Sequence, residues 1–345
     1  MQLFVNTYGT YVHVKDEMFE IRVPGQGSEK EYKRHHFSAK KVTSILMPKS
    51  AALSTDAVIL ALKHNVDILF IDYDGHPLGR VWHSKLGSTT RIRKAQLEAS
   101  LGADGLHWVK EWVGVKMKNQ MQMVQDLGKH RATLRDFISQ RIKQMQSLHV
   151  SLCQLNAGQV HDVAETIRGL EGTSGRLYFE ALSSVLPETY RFSGRSSRPA
   201  KDPFNAFLNY AYGILYGKVE KTLIIAGLDP YLGFLHRDDY NQLSMVYDFI
   251  EPYRIYCDVV VFRLFTSKKV NKAHTDKITN GYSLNKLGKE LLVHSFNHYF
   301  DVETIRYKGR NQTRSNAIQM DAHVFANTLL RHFGKKTDQS KTETL

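Results

Sequence analysis

Two blocks of different hydrophobic period predict an α+β protein of two domains, a small N-terminal β-rich domain followed by a larger, mostly α-helical one. Up to about Trp82 the chain consists of short runs that alternate apolar and polar residues. From about Arg93 onward, apolar residues recur at helical spacing. Between the blocks lies a Gly/Ser/Thr-rich segment, Ser84 to Thr90, which sets the domains at 1–84 and 91–333. At 345 residues the chain is long enough for each domain to bury a core of its own.

The opening "QLFVNTYGTYVHVKDEMFEIRV" reads as strands of an antiparallel meander, with "TYGT" and "KDEM" as turns. "VTSILMP" gives a further strand, and Ser54 is placed to cap a short helix through "TDAVILALKH". In "VDILFIDYDGHPLGRVWH" the Asp74-Gly75 pair predicts a hairpin turn. The second block opens with helical spacing from about Arg93 to Leu127, and helical patterns then dominate. Residues 334–345, "GKKTDQSKTETL", lack the apolar content for a core and predict a loose tail.

The formal charge of +13 and a pI near 9.5 make nucleic acid the leading partner class, ahead of an anionic membrane surface. Only Cys153 and Cys257 occur, both in segments that read as buried apolar helices, which fits a reduced cytoplasmic protein without a disulfide framework. No segment approaches the roughly 20 apolar residues that span a bilayer, so no membrane partner is expected.

The chemistry concentrates in "YLGFLHRDDYNQLSMVYDFIEPYR". Asp248, Glu251 and Arg254 recur every three residues and would form one slanting polar stripe on a helix. Pro252 has no amide hydrogen and must kink or end that helix beside Glu251. His236 lies upstream in "GFLHR". Spacing alone is equally met by a surface helix whose acids pair with Arg254 and a histidine at a turn. In "LEGTSGRLYFEALSSVLP", Gly172 and Gly175 inside a helical pattern suggest close approach of another helix or of a phosphate. "RFSGRSSRPAKDPFN" is a basic loop, its Arg191, Arg195, Arg198 and Lys201 suited to phosphate or simply solvated, ahead of a helix whose Tyr210, Tyr212 and Tyr216 read as core or interface residues.

Taken together, "EGTSGRLYF", "RSSRPAKDPFN", "GFLH" and "DFIEPYR" stand in the order and at the separations of one family pattern. The chain resembles the CRISPR-associated integrase family, the catalytic subunit of the spacer-acquisition complex. Gly175 departs from the pattern, where many members carry alanine. The resemblance covers both domains and implies that Glu171, His236 and Glu251 bind Mn²⁺ or Mg²⁺, with Asp248 as a neighbouring catalytic acid. It implies phosphate or DNA contacts by Arg176, Tyr178, Arg195, Arg198 and Arg254. It further implies double-stranded and branched DNA as substrate, a homodimer formed through the β-rich domain, and a small companion subunit of the adaptation complex bridging two dimers. Insertion by 3′-hydroxyl attack is the expected reaction. A branched-DNA nuclease acting in repair, a non-enzymatic DNA-binding subunit and an RNA-binding protein are the rivals.

Other polar features read as ordinary structure. Ser295 stands between His294 and His298 where the hydrolytic zinc motif needs glutamate. His35 and His36 alternate in a strand and point to opposite faces. Lys116, Asn119 and Gln120 in "KMKNQ" read as packing or hydrogen-bonding residues rather than catalytic ones.

Overall fold

The computed structural model describes residues 1–345 except 6, 26–31, 72–76, 82–88, 130, 237–241 and 343–345. Two compact units result, Met1–Leu86 and Gly87–Leu345.

The first unit contains β1 (Gln2–Phe4), β2 (Tyr11–Lys15), β3 (Met18–Pro24), β4 (Tyr32–Ser38), β5 (Ser44–Pro48), β6 (Ala52–Leu53), α1 (Thr55–Lys63), β7 (Asp67–Ile71) and β8 (Pro77–Val81). They form two four-stranded sheets, ordered β1-β5-β7-β8 and β4-β3-β2-β6. Of the expected meander only β2 and β3 pair antiparallel, and β4 extends them on the other side of β3. β1 instead pairs in parallel with β5 in the other sheet, which sets Leu3 beside Ile45 in the core. The turn holding Gly9 at φ +74° therefore carries the chain between sheets rather than back along itself. Asp16 and Glu17, at φ 51° and 57°, make the left-handed turn that closes the β2–β3 hairpin. Ser54 caps α1 as expected, its Oγ accepting from Ala57 N at 3.2 Å. α1 supplies the crossover that parallel β5 and β7 require. The Asp74-Gly75 turn lies outside the described residues.

Glu20 on β3 is fully buried and accepts from Arg22 Nε at 2.7 Å and from the Nε2 atoms of His13 and His36 at 2.8 Å each. The Arg22 guanidinium, helped by both imidazoles and opposed by burial, holds this carboxyl down at about 2. His36 thus faces Glu20 while His35 stacks beside Phe37, the alternation expected of a strand.

The second unit contains α2 (Thr89–Ser100), α3 (Ala103–Gly128), α4 (Arg135–Gln154), α5 (Ala164–Ser184), α6 (Pro203–Ile225), α7 (Ser244–Phe249), α8 (Arg254–Thr266), β9 (Thr275–Ile278), β10 (Gly281–Leu284), α9 (Lys286–Asn297), β11 (Thr304–Tyr307), β12 (Arg310–Thr313) and α10 (Arg314–Thr342). The single helix expected from Arg93 to Leu127 is broken between Ser100 and Ala103. Gly105 explains the tightness of the break, since a Cβ there would stand 2.6 Å from the Ala99 carbonyl oxygen. Two small hairpins, β9–β10 and β11–β12, interrupt the helical run. α10 continues through Thr342, where a loose tail is expected from composition. No proline stops it, and extending a formed helix is far easier than nucleating one.

Trp112 anchors the core, with Phe234, Phe249 and Phe325 at 5.9, 5.7 and 5.1 Å between ring centroids. Tyr212 is buried and Tyr210 and Tyr216 pack against the core, as the sequence predicts. Cys257 is buried, but Cys153 is exposed on α4: its segment is amphipathic, not buried throughout. No helix among the described residues is long and apolar enough to cross a membrane.

Candidate catalytic centre

Four elements of the second unit converge on an acidic centre. Pro252 ends α7 as expected, and a 3₁₀ turn, Glu251–Tyr253, separates it from α8. That turn is braced from α3, whose Asn119 Nδ2 donates to the Pro252 carbonyl at 2.9 Å. Glu251 is therefore held at a helix break with 7% of its side chain exposed. Its Oε1 accepts from Arg254 Nε at 2.8 Å, and its Oε2 lies 2.5 Å from Lys116 Nζ. Lys116, on the buried face of α3, also donates to Oε1 of Glu171, midway along α5 and a third exposed. One ammonium thus bridges the two carboxylates.

Burial pushes the Glu251 carboxyl up, but Arg254 and Lys116 outweigh it and bring it down to about 2. Burial works against the charge on Lys116 too, and the Glu251 and Glu171 carboxylates raise its value above the usual lysine range. The centre is ionic at neutral pH.

His236 stands on the segment between α6 and α7, its ring a third exposed. Its Nδ1 donates to Oδ1 of Asp248 at 2.6 Å. The backbone amides of Phe234, Leu235 and His236 donate to the same carboxylate at 2.5, 2.9 and 3.2 Å. Asp248 is 3% exposed and both its oxygens accept from these donors, so it holds the His236 ring rather than standing free beside Glu251. The stripe that spacing suggests does not form, because the break at Ile250 turns Asp248 towards the histidine and Glu251 towards Lys116. Arg168, one turn before Glu171 on α5, donates to the Leu235 carbonyl at 2.7 Å and ties the histidine segment to the helix of the first glutamate.

The residues present suit a hard divalent ion in their chemistry. Two carboxylates and one imidazole are oxygen- and nitrogen-rich and lack thiolate. Oε2 of Glu251 is buried and accepts no directional hydrogen bond despite its ionic contact. The Asp248 bond fixes the His236 ring through Nδ1, as a carboxylate commonly orients a metal-ligating imidazole. Glu171 and Glu251 are brought together, whereas His236 is not gathered into their pair. Among the described residues no three His, Cys, Asp or Glu side chains form a ready cage.

The basic and aromatic candidates divide. Arg176 and Arg198 are exposed, the former paired with Glu180 at 2.6 Å. Arg254 is partly buried against Glu251 and lies over the rings of Tyr212 and Tyr216 at 5.1 and 5.4 Å. Arg195 turns inward, donating to Asn205 Oδ1 at 3.0 Å and covering Tyr212 at 5.3 Å. Tyr178 is fully buried, so the expected DNA contact is corrected: its hydroxyl donates to Asp258 at 2.9 Å, beside that of Tyr212 at 2.7 Å. An unpaired carboxylate at Asp258 would be costly inside this core, which gives Tyr178 its task.

Sequence reasoning missed Lys116 as a member of the centre. The available signal was its place on the same helical face as Val109, Val113 and Gln120, since a lysine facing a core must find carboxylates. Gly172 and Gly175 of α5 are also not explained by helix packing. A Cβ at Gly172 or Gly175 would meet nothing within 4 Å, so this flank of Glu171 is open. Gly172→Ala is expected to stabilise the protein by about 1 kcal/mol through helix propensity, read as a rise in Tm.

The fold is that of a two-unit α+β protein in whose helical unit Lys116 bridges the carboxylates of Glu171 and Glu251. Residues 3–298 match the family model described as CRISPR associated protein Cas1, and the chain belongs to that family. It is 33% identical over 333 residues to a CRISPR-associated endonuclease Cas1 of Archaeoglobus fulgidus, covering 93% of this chain and 94% of the relative. A solved casposase bound to integration product is similar with a TM-score of 0.79 and 25% identity, over 96% of this chain and 91% of that one. The fold also recurs within a Cas6-RT-Cas1–Cas2 complex, with a TM-score of 0.75 and 18% identity over 96% of this chain and 35% of that one.

Proposed function

We propose that the protein is a metal-dependent DNA endonuclease and strand-transfer integrase that inserts foreign DNA fragments into a CRISPR array as new spacers. The observation that carries this reading is the pair of carboxylates, Glu171 and Glu251, that Lys116 bridges, together with a His236 ring that Asp248 holds in place. The relative named as an endonuclease and the casposase bound to integration product support the same chemistry.

Glu171, Glu251 and His236 would hold Mn²⁺ or Mg²⁺. When bound, such an ion lowers the pKa of an attacking hydroxyl and stabilises the departing oxygen. Asp248 fixes the tautomer of His236, so Nε2 presents a lone pair. Arg254 anchors Oε1 of Glu251 and leaves Oε2 to turn towards the ion. Arg176 and Arg198 offer exposed guanidinium groups to phosphates, which position DNA without reading its bases. Exchange of one phosphodiester for another by a 3′-hydroxyl conserves bond number and needs no ATP. Water at the same place gives hydrolysis, hence nicking activity.

The partners follow the same reading: double-stranded and branched DNA, a homodimer through the first unit, and a companion subunit bridging two dimers. The presence of the fold in a complex with Cas2 supports the last of these. The two cysteines and basic surface suit a cytoplasmic protein.

Strand joining and cleavage on a branched DNA with Mn²⁺, Mg²⁺ or EDTA, for the native chain and His236→Ala, test the proposal. Metal-dependent joining that is lost in a folded, DNA-binding His236→Ala protein is expected. Tight DNA binding with no metal-dependent product from the native chain, even with the companion subunit added, would overturn it. Hydrolysis without joining would favour the repair nuclease.

A further inference from the structure

The ammonium of Lys116 occupies the space where the two carboxylates of the centre meet. It touches Oε1 of Glu171 and stands 2.5 Å from Oε2 of Glu251. Oε1 of Glu251 is already taken by Arg254, and Oε2 has no directional hydrogen bond. The only counter-charge on that oxygen among the described residues is the lysine. A divalent ion bound by both glutamates needs oxygens at about 2.0–2.6 Å. That shell leaves no room for a nitrogen at the same distance, and two cations so close repel strongly at any protein dielectric.

We propose that Lys116 is a built-in cation that holds Glu171 and Glu251 together in the metal-free protein and must yield its place when the divalent ion binds. The inference rests on the cation-centre reading above and goes beyond it by naming what the ion displaces. Its side chain suits the task. Lysine carries a compact charge on a flexible four-carbon stem, so the head can withdraw while the stem stays on the buried face of α3. An arginine, with a planar fork, would lock the pair instead. The centre is thereby neutralised before loading. Without that charge the carboxylates of Glu171 and Glu251 would face each other with Arg254 as the remaining cation on Glu251 among the described residues.

Competition has a definite sign. Removing the internal cation should strengthen binding of the external one, whereas loss of a helpful neighbour would weaken it. Lys116→Met keeps the length of the stem and removes the charge, and Lys116→Gln offers a neutral polar head should the methionine variant fail to fold. The measurement is the Kd for Mn²⁺ alone by titration calorimetry on the full chain without DNA, paired with Tm with and without Mn²⁺. At least about a tenfold lower Kd is expected in either variant, together with a lower Tm without metal and a larger rise in Tm on adding Mn²⁺. An equal or higher Kd in a folded variant would overturn the inference while leaving the metal centre standing. Absence of Mn²⁺ binding in both the native chain and the variants would overturn the cation-centre reading, and the inference with it.

Discussion

Glu251→Gln is expected to lower metal-dependent strand joining by about a hundredfold or more and to destabilise the protein at neutral pH. The catalytic part follows from charge, because an amide is a far poorer ligand for a hard ion and the change removes one of the two carboxylates that Lys116 bridges. The stability part follows from burial. Glu251 is the shared partner of Lys116 and Arg254, and breaking a buried ion pair from one side typically costs about 3–5 kcal/mol. The two effects separate by pH. The folded value of about 2 lies below the ordinary 4.5, so between these values the unfolded chain binds more protons than the folded one. The stability contributed by Glu251 is therefore complete above 4.5 and is lost as pH falls towards 2. Tm measured from pH 7 down to 3 should fall less steeply in Glu251→Gln than in the native chain. Identical slopes would show that Glu251 is not the group held ionised.

Gly233→Ala is the second change with a large expected effect, although residue 233 bears no chemistry. A Cβ there would stand 2.5 Å from Ser244 Cβ, 2.9 Å from the Ser244 carbonyl carbon and 3.1 Å from Oδ2 of Asp248. The obstruction includes the Ser244 backbone, so relief requires moving either the segment of His236 or the start of α7. Either shift opens the cradle in which three amides and one imidazole meet Asp248. Overpacking of this kind costs about 1–3 kcal/mol, while a displacement near 1 Å can cost about a hundredfold in rate. Strand joining should therefore fall much further than the modest drop in Tm implies. Native activity in Gly233→Ala would mean that the position of His236 is not critical.

Much of the centre was legible in the chain because its parts are local. Pro252 dictates a break beside Glu251 wherever the segment lies, and the break is found there. The order of the four motifs identified the family pattern, and Glu171 and Glu251 meet across α3. What the chain could not display are directions set by packing. Helical spacing aligned Asp248 with Glu251, yet the break sends the first to His236 and the second to Lys116. Tyr178 and Arg195 sit in motifs with exposed arginines, but the buried carboxylate of Asp258, 80 residues beyond Tyr178, draws the tyrosine inward. Asn205 and Tyr212 capture Arg195. In the first unit, alternation correctly marked strands but could not say that β1 leaves its sequence neighbour β2 to pair with β5. Pairing partners depend on where Leu3 and Ile45 find a shared core, which period two alone does not encode.

The most direct test of the central claim is the location of Mn²⁺ by anomalous scattering in crystals of the native chain. The account predicts a manganese site contacting Glu171, Glu251 and Nε2 of His236, with Asp248 on the far side of the imidazole and Lys116 withdrawn from the glutamates. Manganese bound elsewhere in an active protein, with the Lys116 bridge intact, would contradict it.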